Sequence, residues 1–158
     1  MLARIAGQAL ASPIFPLVEG AQSLRSPIAY DDVAEAIGIC LRDVSTVGKT
    51  IDLAGPKVYT MEEIYDLIFE NLQINPIKVP VPHQIMAFQG KIAQYLPMKP
   101  LTEDEVMLAL EDEVVNPANG SSADLPGFQP AALEDKIGKI LLRFKAIQIS
   151  AKDAGVLL

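Results

Sequence analysis

One cysteine, one histidine and no tryptophan occur among the 158 residues. A lone Cys40 cannot close an internal disulfide, and with only His83 to join it no zinc-finger or histidine-rich metal site can be assembled. Metal: none, is the expectation. Basic residues are also scarce, 13 against 20 acidic ones, for a net charge of -7. That balance repels a phosphate backbone, so no nucleic acid is expected as a partner. Long apolar runs are missing too. The stretch from Ile5 to Val18 is uncharged but is broken by Pro13 and Pro16 and falls short of a membrane-spanning helix. The opening Met1-Leu2-Ala3-Arg4 has one arginine and no early serine, which suits mature sequence better than a transit peptide.

What remains is an apolar chain, 50% hydrophobic, of a size that builds one modest core. Leu2, Ile5, Ala6, Ala9 and Leu10 recur at helical steps and stop before Ser12-Pro13. A loop is expected through Pro16 and Gly20. Asp31 and Asp32 then offer side-chain oxygens to the first turn of a helix carrying Val33, Ala36, Ile37 and Cys40, with Gly48 beyond its end. Thr50 to Ala54 alternates like a strand and meets the turn Gly55-Pro56. Thr60 and Glu63 form a capping box ahead of Ile64, Leu67 and Ile68, which predicts a helix to about Leu72. Ile77 to Pro82 reads as an edge strand, because Pro80 and Pro82 remove ladder donors. Helical spacing returns at Ile85, Phe88, Ile92 and Tyr95. Thr102 and Glu105 form a second capping box opening a helix to about Val114. Asn116 to Pro130 is expected to be a structureless loop, and a last helix starts at Ala131. The order predicts a part of a βα sheet over residues 1–82 and a helical extension for docking over 83–158.

Motifs for chemistry are absent or broken. No G-x-G-x-x-G turn exists to admit a pyrophosphate, and Gly48-Lys49-Thr50 supplies only the tail of a P-loop. Tyr95 and Lys99 are four apart, but Pro97 between them interrupts the helical turn that would align a tyrosine with its lysine. His83 has no serine or cysteine nucleophile in a recognisable motif and reads as a capping or surface histidine. No catalytic and no cofactor-binding residue is assigned. The acids Glu103, Asp104 and Glu105 complement a helix N-terminus. In contrast, Lys136, Lys139, Arg143 and Lys145 alternate with Ile137, Ile140, Leu141 and Phe144, a basic amphipathic surface in an acidic chain. It fits anionic lipid or an acidic partner, and equally an ordinary core helix with a solvated side.

Ser26-Pro27-Ile28-Ala29-Tyr30-Asp31-Asp32-Val33-Ala34 resembles a segment of extended and atypical short-chain dehydrogenase/reductases, with Ala29 where that motif usually has histidine. Gly48 to Pro56 and Tyr59 to Ile64 resemble the following strand, turn and helix. Pro100-Leu101-Thr102-Glu103-Asp104-Glu105-Val106, Asp124 to Pro130 and the basic helix are similar to the C-terminal part of the alpha-subcomplex subunit 9 family of mitochondrial complex I. The resemblance implies an α/β fold, the C-terminal part of a Rossmann-like domain with a mostly helical extension. It implies an accessory role without catalysis, on the matrix side of the mitochondrial inner membrane. Expected partners are other complex I subunits, a chain carrying the N-terminal Rossmann half, and anionic lipid such as cardiolipin. NADP(H) belongs, on this view, to the N-terminal half, whose glycine-rich turn has no counterpart here. The substrate-binding half of a split dehydrogenase or epimerase, and a free-standing binding module, are the competing readings.

Overall fold

A computed structural model describes residues 1–85, 103–115 and 119–153. Helix α1 is Leu2–Ala11, and Ser12 leaves it in an extended conformation ahead of Pro13. Strand β1, Ile14–Val18, follows where a loop was expected. Pro16 does not prevent it, because β1 has one neighbour among the described residues, so only half of its backbone groups need partners. That neighbour is β5, Ile77–Val81, and the two run parallel with Ile14 opposite Ile77 and Val18 opposite Val81.

β2, Leu24–Arg25, pairs antiparallel with β4, Tyr59–Thr60. Helix α2 spans Tyr30–Cys40. β3, Ile51–Asp52, pairs parallel with β6, Gly120–Ser121. The predicted structureless loop from Asn116 to Pro130 thus holds a strand and a single 3-10 turn at Ser122–Asp124, fixed by Asp124 accepting the Ser121 N–H at 2.6 Å. Two-residue strands leave no periodicity to read, which is why the segment looked empty.

Helix α3, Met61–Leu72, starts at the capping box as expected: the Thr60 hydroxyl accepts from Glu63 N–H, and the Glu63 carboxylate accepts from Thr60 N–H. It ends at Gln73, left-handed at φ 55°, before Asn75-Pro76. Helix α4, Glu103–Leu110, falls within the span expected for this helix, and the second box itself, Thr102 with the side chain of Glu105, lies outside the described residues. It stops short of Val114 because Glu113 joins β2: its N–H donates to Leu24 C=O, and its C=O accepts from Ser26 N–H. The helix expected through Phe88, Ile92 and Tyr95, with the Tyr95 and Lys99 pair, also lies outside the described residues. Helix α5 is Leu133–Asp153.

One cluster joins α1, β1, α3 and α5 through Ile5, Leu17, Ile64, Ile68, Ile137 and Leu141, so part of the predicted extension shares a core with residues 1–82. Phe15 packs edge-on to Tyr65 and Phe69, with ring centroids 4.9 and 5.1 Å away. A second cluster places Ala36 of α2 against Leu125 and Phe128, with Cys40, Ile51 and Leu53 around it. Among the described residues the architecture is mixed α/β with three small sheets, two of them parallel.

Candidate functional site

The basic helix meets the two aspartates. Ala29 is the N-cap of α2 and no side chain caps it, so Asp31 and Asp32 do not play the capping part read from sequence. They stand in the first turn and reach across to α5 instead. Asp32 is buried, its Oδ2 accepts the Ala131 N–H at 2.8 Å, and its Oδ1 lies 3.5 Å from Lys136 Nζ. Asp31 Oδ2 is 3.7 Å from Lys139 Nζ. Lys136 and Lys139 thus neutralise the start of α2, while its peptide dipoles favour the same two carboxylates. Sequence spacing hides this relation, since its halves lie about a hundred residues apart.

Lys136 is half-buried at this joint, whereas Lys139 stays 70% exposed beside Asp31. Arg143 is exposed and Lys145 half-buried. Leu142, Ile147 and Ile149 are exposed on the same helix, while Leu133, Ile137 and Leu141 point into the core. The outward surface of α5 therefore mixes cations with aliphatic side chains, the composition of a helix that rests on a lipid interface or a partner.

Glu134, at the start of α5, accepts a hydrogen bond from the Tyr59 hydroxyl and pairs with Lys57 at 3.2 Å. Lys57 Nζ also sits 4.5 Å over the Tyr59 ring. Burial, then the Glu134 carboxylate, push the Tyr59 phenol up to about 12. The Tyr59 hydroxyl in turn holds the Glu134 carboxyl below the usual range, helped by Lys57.

Arg25 organises the other side. It is buried, and its guanidinium donates to the carbonyls of Leu24, Leu108 and Glu111, with Nε 3.4 Å from Glu113 Oε2. Carbonyls in the last turn of α4 have no partner within the helix, and Arg25 supplies one. Ser23 Oγ adds a bond to Ala109 C=O at 2.7 Å. A cleft of about 410 Å³ opens beside Arg25, lined also by Ser26, Asp52 and Glu113. Each nitrogen of that guanidinium already meets a protein acceptor, so Arg25 acts here chiefly in holding the chain segments together. Nothing in the sequence marks this arginine, which stands in a two-residue strand.

His83 sits past the end of β5 and its backbone N–H and Nδ1 both meet Glu19 Oε1, at 2.9 and 2.7 Å. Those contacts, the backbone bond first, hold the Glu19 carboxyl below its usual range. Glu19, Gly20 and Ala21 are all left-handed, at φ 46°, 73° and 57°, a strained turn that His83 pins across the carboxyl ends of the parallel pair. His83 is thus a bracket between strands. Gly48-Lys49-Thr50 runs from a 3-10 turn into β3, the reverse of the strand-loop-helix order that cradles a phosphate. Lys49 and Thr50 border an open cleft of about 490 Å³ with Ser45, Asn119 and Asp124.

No family model matches the chain. It is 30% identical over 113 residues to the mitochondrial NADH-ubiquinone oxidoreductase 40 kDa subunit of Neurospora crassa, a match covering 71% of this chain and 30% of that subunit. It is 27% identical over 136 residues to the mitochondrial NADH dehydrogenase (ubiquinone) 1 alpha subcomplex subunit 9 of Mus musculus, covering 86% of this chain and 36% of the relative. The chain therefore spans about a third of the length of the curated relatives it matches. Among solved structures, the crystal structure of gox2253 superimposes with a TM-score of 0.56 at 13% identity, covering 99% of this chain and 44% of that one, a likeness of fold alone. On the sequence matches, the chain belongs to the family of the 40 kDa and alpha-subcomplex subunit 9 accessory subunits of complex I.

Proposed function

We propose that this chain serves, without catalysis of its own, as the C-terminal part of a complex I accessory subunit, docking that subunit at the peripheral arm beside the membrane. The observation that carries this reading is the outward surface of α5, where exposed Leu142, Ile147 and Ile149 lie among Lys139 and Arg143. Aliphatic side chains gain by leaving water, and cations gain beside anionic headgroups, so such a surface suits a lipid interface. Among the described residues no helix is long and apolar enough to cross a membrane, which suits attachment from the side. The inner membrane of mitochondria, on its matrix face, is the proposed place, and anionic lipid such as cardiolipin the proposed contact. The family membership supports other complex I subunits as partners. A Rossmann-like unit completed by the N-terminal part of the subunit is the setting in which NADP(H) would be held, away from this chain.

Native electrophoresis of mitochondria from the source organism tests the reading. The chain is expected to comigrate with assembled complex I. Migration solely as a free species, apart from the complex in all detergents that preserve it, overturns the proposal.

A further inference from the structure

Helix α2 presents an apolar seam that nothing among the described residues covers. Tyr30, Ala34, Ile37 and Leu41 follow one another at steps of four, three and four residues, and Val44 and Val47 continue the line into the next turn. The five larger ones are between 53% and 84% exposed. The opposite side of α2 is satisfied, with Ala36 buried against Leu125 and Phe128 and Asp32 buried at the α5 joint. A helix with one face buried is expected to turn polar residues outward, and this one turns out tyrosine, isoleucine and leucine.

A second observation lies directly downstream. Strand β3 pairs with β6 on one side and has no other neighbour among the described residues. Parallel strands are characteristic of sheets covered by helices and continued by further strands, and a two-residue parallel pair is too short to stand as a sheet. The seam and the open edge belong to one continuous helix-turn-strand segment, 30–52.

We infer that the seam of α2 and the open edge of β3 dock the remainder of the family's α/β unit, through an apolar helix or sheet surface. The occupant follows from length. This chain spans 30–36% of the N. crassa and mouse relatives, and aligns over 99% of itself with 44% of the gox2253 chain, so in single polypeptides of this fold more than half of the protein lies beyond the matched stretch. The inference rests on the complex I subunit reading, and it adds which surface meets the rest of the subunit. Assigning lipid to α2 is disfavoured by charge, since Asp31 and Glu35 are the acidic neighbours of the seam.

The test is co-purification of this chain with the remainder of the N. crassa 40 kDa subunit, outside the 113 matched residues, both parts co-expressed. A one-to-one complex is expected. Ile37→Glu with Leu41→Glu should weaken it more than tenfold while circular dichroism and the thermal transition of the chain alone stay unchanged, because both side chains already face water. Ile77→Glu, an exposed position on β5, should leave binding intact. No complex with the unmodified chain, or equal binding by the double variant, overturns the inference. So does a homodimer that the same two substitutions dissolve, since a second copy would then be the occupant. Native electrophoresis separates the two proposals: a double variant that assembles into complex I as well as the unmodified chain fails the seam alone, whereas absence of the unmodified chain from complex I fails the subunit reading.

Discussion

Asp32 accepts a hydrogen bond from the backbone N–H of Ala131 at 2.8 Å, fastening the first turn of α2 to the approach of α5. Lys136 completes the joint at 3.5 Å, so one buried carboxylate satisfies both a backbone donor and a cation. A buried charge is tolerated only when its partners are present, which makes this joint sensitive to change. Asp32→Ala should destabilise the chain by about 2–3 kcal/mol, since the Ala131 N–H and Lys136 would both lose their acceptor. Asp32→Asn, which keeps the acceptor oxygen, should cost about half as much. Urea unfolding with both variants checks the order.

The capping box at α3 gives a smaller effect. Thr60→Ala removes the acceptor for Glu63 N–H and should cost about 1 kcal/mol, within the usual range for such caps. The double variant Thr60→Ala with Glu63→Ala should cost less than the sum of the two single substitutions, because the two bonds belong to one reciprocal pair. A double-mutant cycle in urea measures it.

Gly55 cannot carry a side chain in place. A Cβ there would lie 2.1 Å from the carbonyl oxygen of Pro27, a backbone atom, so the strand ends must part before alanine fits. Gly55→Ala is expected to lower stability by about 1–3 kcal/mol or more. Gly138, whose added Cβ would meet nothing within 4 Å, is the control. Gly138→Ala should be neutral or stabilising, as alanine favours the helix by about 1 kcal/mol.

The Tyr59 contact fixes the sign of the alkaline response. With the folded phenol raised to about 12 and an unfolded tyrosine near 10, the unfolded chain releases a proton that the folded chain retains. Stability should therefore be full below pH ~10 and fall as pH rises toward 12. Tyr59→Phe should flatten that decline, leaving the part due to Tyr65, which burial also raises. Glu134 works at the other end: its lowered carboxyl contributes above the ordinary carboxylate range and loses that contribution as pH falls through the folded value. Thermal melts of the unmodified chain and of Tyr59→Phe across pH check both limbs, since the substitution removes the same hydrogen bond from Glu134.

Lys139→Glu with Arg143→Glu should weaken sedimentation with cardiolipin-containing liposomes by well over tenfold at low salt, each cation near the surface contributing about 1 kcal/mol. High salt should weaken the unmodified chain in the same way, as screening acts over roughly 8 Å at physiological strength. Binding that ignores both salt and the substitutions would leave α5 as a core helix with a wet side.

The sequence by itself determined the elements whose signals are local. The helical stripe of α1 and its stop at Pro13, and the start of α3 at Thr60 and Glu63, follow from bonds within one helical turn or from the angles proline forbids. It also carried the family, through short segments whose resemblance agrees with the matches to the 40 kDa and alpha-subcomplex subunit 9 relatives. Only the tertiary structure decided what Asp31 and Asp32 do, because their partners arrive from α5 and outcompete the local cap. It alone made Arg25 the cap of α4, and it alone gave Pro16 and Gly120 to strands, where pairing energy from a distant segment overrides weak local preference. The exposed seam on α2 belongs to the same class. Periodicity shows that a helix has an apolar stripe, but which apolar side chains the chain itself buries depends on where every other element comes to rest.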